Sequence, residues 1–132
     1  MDIEIEILLR LVLASVLGAG IGYQRERAHK PAGRRTHALI GVGAALFTAA
    51  SIFGFGSGVD VSRVAAGVVA GVGFIGGGVI FRGGDHVEGL TTAASIWVTA
   101  AVGLAAGAGM YLIATGCALI AAIVLAVPKK KA

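Results

Sequence analysis

From Leu90 to Val127 the chain runs for 38 residues without one charged side chain. A helix that crosses the ~30 Å hydrocarbon core of a bilayer needs roughly 17–25 mostly apolar residues, so this stretch is too long for one span and long enough for two. In lipid, the backbone of such a segment satisfies its own hydrogen bonds only as helix or closed barrel. Gly107-Ala108-Gly109 is the natural break, which predicts helices over about 90–106 and 110–127.

The rest of the chain follows the same pattern. Apolar residues make up 57% and charged ones 14%, against roughly 25% charged in an ordinary soluble domain. The charges are bunched at Asp2–Arg10, Arg25–Arg35, Arg82–Glu88 and Lys129–Lys131. Between the bunches lie Ile7–Tyr23, with Arg10 as its one charge, Thr36–Phe55 and Val64–Phe81. The expected fold is an all-α integral membrane protein, a glycine-rich bundle of about five transmembrane helices. It forms a single domain over 1–132, with spans near 7–23, 36–55, 64–81, 90–106 and 110–127. Four spans with one interfacial segment is the alternative. No soluble C-terminal domain is expected after VPKKKA.

Cytoplasmic flanks collect lysine and arginine. With the N-terminus outside and the C-terminus cytoplasmic, nine of the eleven basic residues fall inside and only Arg10 and Arg63 outside. The first span is preceded by acids and followed at once by a basic cluster, the opposite of a secretory signal. Cys117 is the single cysteine, so no disulfide framework exists.

The stretch Gly71-Val-Gly73-Phe-Ile-Gly76 satisfies the dinucleotide-binding pattern G-x-G-x-x-G, but that fingerprint needs a strand before it and an acid about 20 residues on. Here an uninterrupted apolar run surrounds it. Helices in lipid associate by close packing, which small residues permit. Gly67/Gly71, Gly73/Gly77, Gly18/Gly22 and Gly103/Gly107 all recur at four-residue spacing, and the third span is expected to touch neighbours on more than one side. The denser run Gly76-Gly77-Gly78 admits a second reading, a broken helix of the kind that binds ions.

Polar groups within the spans are the candidate functional residues. Arg10 is expected to lie about one turn deep, snorkelling outward and pairing with Glu6 on the same helical face. Alternatively, the two form an external gate or ion-attracting site. Thr91, Ser95 and Thr99 recur every four residues, with Thr92 beside them. Their hydroxyls bond back to the backbone or across to a neighbouring helix, or they line a polar path. Trp97, at mid-span, is expected to be a packing element. In the loop YQRERAHKPAGRRTH, Arg25, Arg27, Arg34 and Arg35 are expected to meet anionic headgroups, and Pro31-Ala32-Gly33 to turn the chain. His29, His37 and His86 show no zinc spacing. No catalytic set is apparent, so no enzyme activity, cofactor or nucleic-acid partner is expected, and no metal ligands are assigned.

Four segments in order, RLVLASVLGAGIGYQRE, KPAGRRTHALIGVGAALF, RVAAGVVAGVGFIGGGVI and GLTTAASIWVTAAVGLAAGAG, resemble the MgtC/SapB family of bacterial inner-membrane proteins. The resemblance covers Arg10 to about Gly109. The matching positions are Arg10, Arg25, Glu26, Pro31–Thr36, Arg63, Gly71, Gly73, Phe74, Gly76, Gly78, Gly89, Thr91, Thr92 and Trp97. It implies a multi-pass inner-membrane bundle linked to magnesium homeostasis or adaptation to low magnesium. Such a protein is expected to act as a homo-oligomer and as a regulator through contacts with other inner-membrane proteins. The alternative is a channel or transporter for Mg²⁺ or another cation. Two departures stand out. Gln24-Arg25 replaces the family's usual Glu-Arg, and the soluble C-terminal domain of many members is missing from this sequence.

Overall fold

A computed structural model describes residues 2–128; the terminal lysines Lys129–Lys131, counted above for orientation, lie outside the described residues. Five helices form: α1 (Ile3–Arg27), α2 (Arg34–Phe53), α3 (Ser62–Gly77), α4 (Leu90–Gly107) and α5 (Tyr111–Ala126). Between α3 and α4 lies an antiparallel hairpin of β1 (Phe81–Gly83) and β2 (His86–Glu88), with Phe81 opposite Glu88. The sequence reading contained no strand. It also carried the third span on to Phe81, whereas the helix ends at Gly77. The Gly76–Gly78 run is therefore a terminus and not a break. Three consecutive glycines carry the highest entropic cost of holding a helix, and Gly78 closes it with bonds to Phe74 and Ile75 carbonyls, both 3.1 Å.

α1, α2 and α4 are long and apolar enough to cross a membrane, whereas α3 and α5 are apolar but 16 residues each. Successive helices reverse direction, so α1 ends where α2 and α4 begin. We call this the Arg25 end, and the opposite one the Arg10 end. α4 is the hub, packed against all four other helices.

The residues are arranged inside-out relative to a soluble protein. The buried core is largely alanine: Ala14, Ala45, Ala106, Ala114, Ala118 and Ala121 with Ile21 and Val102 on one side of α4, and Ala44 and Ala100 with Val72 and Ile96 on the other. The large apolar side chains point outward, Phe74 at 87% and Leu112 at 83% exposure. Small residues let the backbones meet. A Cβ on Gly41 would lie 2.6 Å from the Ala14 carbonyl oxygen, and one on Gly22 would run into the Gly33 carbonyl. α3 touches both α4 and α2, as expected, but not through most of its glycines. Gly67, Gly71, Gly73 and Gly77 face open space, and only Gly76 comes near a neighbour, at Ala93.

The α2–α3 connection is held by Asp60, whose Oδ1 accepts from the Ser62 amide (3.0 Å) and hydroxyl (2.7 Å). These bonds hold the Asp60 carboxyl below the usual carboxylate range. Whatever it adds to the turn is present above the unfolded-state value and is lost as pH falls through the lowered one.

Candidate functional site

Two clusters of buried polar side chains tie the helices together, one at each end. At the Arg10 end the guanidinium is buried and turned toward the α4–α5 turn, rather than snorkelling outward. Its Nη1 donates to the Gly107 carbonyl (2.8 Å), Nε to the Tyr111 hydroxyl (2.9 Å) and Nη2 to Glu6 (3.0 Å). Tyr111 in turn donates to the same Glu6 oxygen at 3.0 Å. The Phe53 ring lies 5.2 Å from the guanidinium carbon, within cation–π range. The expected Glu6–Arg10 pair is present. The sequence did not show the rest: Arg10 caps the carbonyl end of α4, where helices leave acceptors unpaired. Gly109, at φ +85°, makes room, since a Cβ there would sit 3.2 Å from Arg10 Nη2.

At the Arg25 end, the structure corrects the placement of Arg25. It is not an exposed loop residue but part of the last turn of α1, 5% exposed, with Nη2 donating to Thr92 Oγ1 across the bundle (3.0 Å). Beside it is His37, 0% exposed, which the sequence reading passed over for lack of metal spacing. Its Nδ1 lies 2.9 Å from the Gly33 carbonyl and its Nε2 2.9 Å from Ser95 Oγ. A carbonyl only accepts, so Nδ1 carries a hydrogen. The neutral tautomer then takes the Ser95 proton at Nε2, in competition with the Thr92 carbonyl, 2.7 Å from the same hydroxyl. The signal for His37 was positional: α2 carries no other ionisable side chain beyond its two leading arginines, and a lone imidazole there needs a partner.

The hydroxyl stripe is real but rotated. Thr91 is exposed, while Thr92, Ser95 and Thr99 are buried. A step of four residues advances about 40° around a helix and a step of seven falls about 20° short of full turns. Thr92 and Thr99 therefore align better than Thr91 and Thr99. Thr99 bonds back to the Ser95 carbonyl (2.7 Å). Ser95→Ala leaves His37 Nε2 without its partner and is expected to cost about 1–2 kcal/mol. Thr91→Val, on the outside, is expected to change stability by less than about 0.5 kcal/mol. Thermal unfolding of both variants in the same detergent checks the contrast.

The remaining candidates are dispersed. Arg34 pairs with Glu26 on the surface, and Arg35 and Arg63 are exposed at the starts of α2 and α3. Trp97 is 58% exposed, so the expected packing element faces outward beside α3. Mid-span position fixed its depth but not its direction. Among the described residues, no group of three or more His, Cys, Asp and Glu side chains comes together to hold a metal ion. α2 and α3 splay apart around an apolar groove of about 540 Å³, lined by residues such as Leu39, Phe47, Val68 and Ile75 with Gly67 and Gly71 between them.

The ordered segments and the two clusters can now be set against known proteins. The sequence matches the MgtC family over residues 11–131. The chain belongs to the MgtC family. This MgtC-family chain is 50% identical over 113 residues to a protein of Escherichia coli named "Putative magnesium transporter YhiD", covering 80% of the chain and 53% of that relative. It is 47% identical over 97 residues to "Protein MgtC" of Brucella suis, covering 74% and 40%. It is 44% identical over 115 residues to "Protein SrpB" of Synechococcus elongatus, covering 77% and 63%. The MgtC-family chain thus spans about half the length of the curated relatives it matches. No solved structure matches it. Membership and the apolar helices together give a membrane location.

Proposed function

We propose that this chain is a multi-pass protein of the bacterial inner membrane, with five spans, its N-terminus outside and its C-terminus cytoplasmic. We read its role as non-enzymatic regulation in magnesium-linked physiology, exerted as a homo-oligomer through contacts with other membrane proteins. The orientation is supported by Arg25, Arg27, Lys30, Arg34, Arg35 and Arg82 gathering at one end, against Arg10 and Arg63 at the other. α3 and α5, at about 24 Å each, fit a span only with help from their flanks.

The observation that carries the regulatory reading is where the polar groups go. Arg10, His37, Ser95 and Thr99 are consumed in bonds between or within helices. The acids Glu6, Asp60, Asp85 and Glu88 lie at helix ends or in connections. Mg²⁺ keeps several waters and usually takes one or two carboxylates, and mid-bundle positions here supply none. The outward face, with its open α2–α3 groove and unfilled glycines, is available to other helices.

The transporter reading is favoured by the name of the Escherichia coli relative. Magnesium flux into dye-loaded liposomes containing the purified chain separates the two. Regulation predicts uptake no faster than protein-free vesicles in either gradient direction, together with altered growth of expressing cells in low magnesium. Saturable uptake weakened by Ser95→Ala would replace it with transport.

A further inference from the structure

Arg25 has a buried positive charge, and among the described residues no negative one meets it. Its guanidinium makes one hydrogen bond, to the Thr92 hydroxyl, and its Nε is buried without any partner. The acid beside it in sequence, Glu26, is exposed and committed to Arg34. The other ion pairs among the described residues are Glu6–Arg10 and the two that His86 makes in the hairpin. A charge removed from water and left uncompensated is expensive, so the fold keeps this guanidinium in place for something that is not a side chain of the described residues.

The surroundings say what kind of group that is. Thr92 lies in the first turn of α4, so its bond to Arg25 puts the guanidinium at the positive end of an 18-residue helix. That end has Gly89 as its cap, at φ +90°, with no capping side chain and no acid in the first turn. The first helical bond runs from Ala93 N to the Gly89 carbonyl (2.9 Å), which leaves the Leu90, Thr91 and Thr92 amides without helix partners. Leu90 and Thr91 are exposed, so the turn is open on one side. The start of α2, at the same end, likewise has no capping side chain and no acid in its first turn. A guanidinium fork next to free helix-terminal amides suits an oxyanion with several acceptor oxygens.

We propose that Arg25 and the first turn of α4 form a site for a phosphate group, either the phosphodiester of an anionic lipid headgroup or free phosphate. The exposed Arg27, Lys30, Arg34 and Arg35 attract anions to this end but lie outside the site. The proposal does not rest on the magnesium reading. It is tested by ligand retention and not by growth or flux.

The full chain is purified in mild detergent and exchanged into mixed micelles of phosphatidylglycerol and phosphatidylcholine, and bound lipid is counted by native mass spectrometry. In a second arm, delipidated protein is melted in inorganic phosphate and in chloride at matched ionic strength. The wild type is expected to retain phosphatidylglycerol over phosphatidylcholine by about fivefold, the scale of one well-placed arginine, or to be stabilised by phosphate over chloride. The first result assigns the site to lipid and the second to free phosphate. Arg25→Gln should abolish the preference, and Thr92→Val, which keeps the charge but frees the guanidinium, should weaken it. A variant combining Arg27→Gln, Arg34→Gln and Arg35→Gln should retain it. A wild type with neither preference overturns the site even if Arg25→Gln fails to fold. So does a preference lost in the triple variant and kept in Arg25→Gln or Thr92→Val, and the first of these outcomes would leave a partner protein's carboxylate as the missing counter-charge.

Discussion

Gly103→Val is expected to destabilise the protein by about 3 kcal/mol or more, enough to empty the folded state of a marginally stable domain. A Cβ at this position would run into the Gly41 carbonyl, and would lie 2.9 Å from the Gly41 Cα and 3.0 Å from the Ala44 Cβ. Two of these atoms are backbone, so no rotamer change relieves the clash. α2 must move away from α4, and with it His37 from Ser95. The equivalent substitution Gly71→Val, on the open face of α3, places its Cβ where no neighbour lies. It should leave monomer stability within about 0.5 kcal/mol. Thermal unfolding and folded yield after detergent extraction compare the two. Equal losses would mean that α2 and α4 are not in the contact described here. Gly71→Val also probes the proposed homo-oligomer, because a loss of assembly without a loss of monomer stability would place the self-contact on α3.

Arg10→Met is expected to cost about 3 kcal/mol. The thioether fills much of the volume but returns none of the bonds, so the Gly107 carbonyl and the Tyr111 hydroxyl lose their donor together. Arg10→Lys should recover little. A lysine offers one nitrogen, whereas three separate guanidinium nitrogens serve a carbonyl, a hydroxyl and a carboxylate here. Tyr111→Phe removes only one corner of the same network and should cost about 1 kcal/mol. Combined with Arg10→Met, it should add less than its single cost, because the two share partners. Full additivity in that double-mutant cycle would contradict the network.

The helix positions were legible because uncharged runs bounded by charge clusters leave little choice of length. α1, α2, α4 and α5 begin and end within a few residues of the expected spans, apart from the polar turns at both ends of α1. Which way each side chain faces was much less legible. In a soluble helix, the apolar stripe marks the inside, but here both faces are apolar, so hydropathy could not tell inward Ile96 from outward Trp97. The four-residue glycine spacing suffered from the same blindness only in part: Gly18, Gly22, Gly103 and Gly107 make tight crossings as expected, while the pairs of α3, Gly67/Gly71 and Gly73/Gly77, face open space. Arg25 was read by charge as a surface residue because its inward turn depends on Thr92, 67 residues away. The hairpin escaped because three-residue strands carry no usable alternation, and its register sets Arg82 opposite Val87 and Gly83 opposite His86.

An alanine core with leucines and phenylalanines outside also sets how such a sequence can drift over generations. At Leu112 or Phe74 the surroundings ask only for oiliness, so many residues serve and neutral exchange should be frequent. At Ala14, Ala45 or Ala106 the room is that of one methyl group, and both larger and smaller replacements are penalised. The inheritance of this fold is therefore carried by its least distinctive letters, and two diverged copies should agree most at the alanines and glycines that a casual comparison would discount as filler.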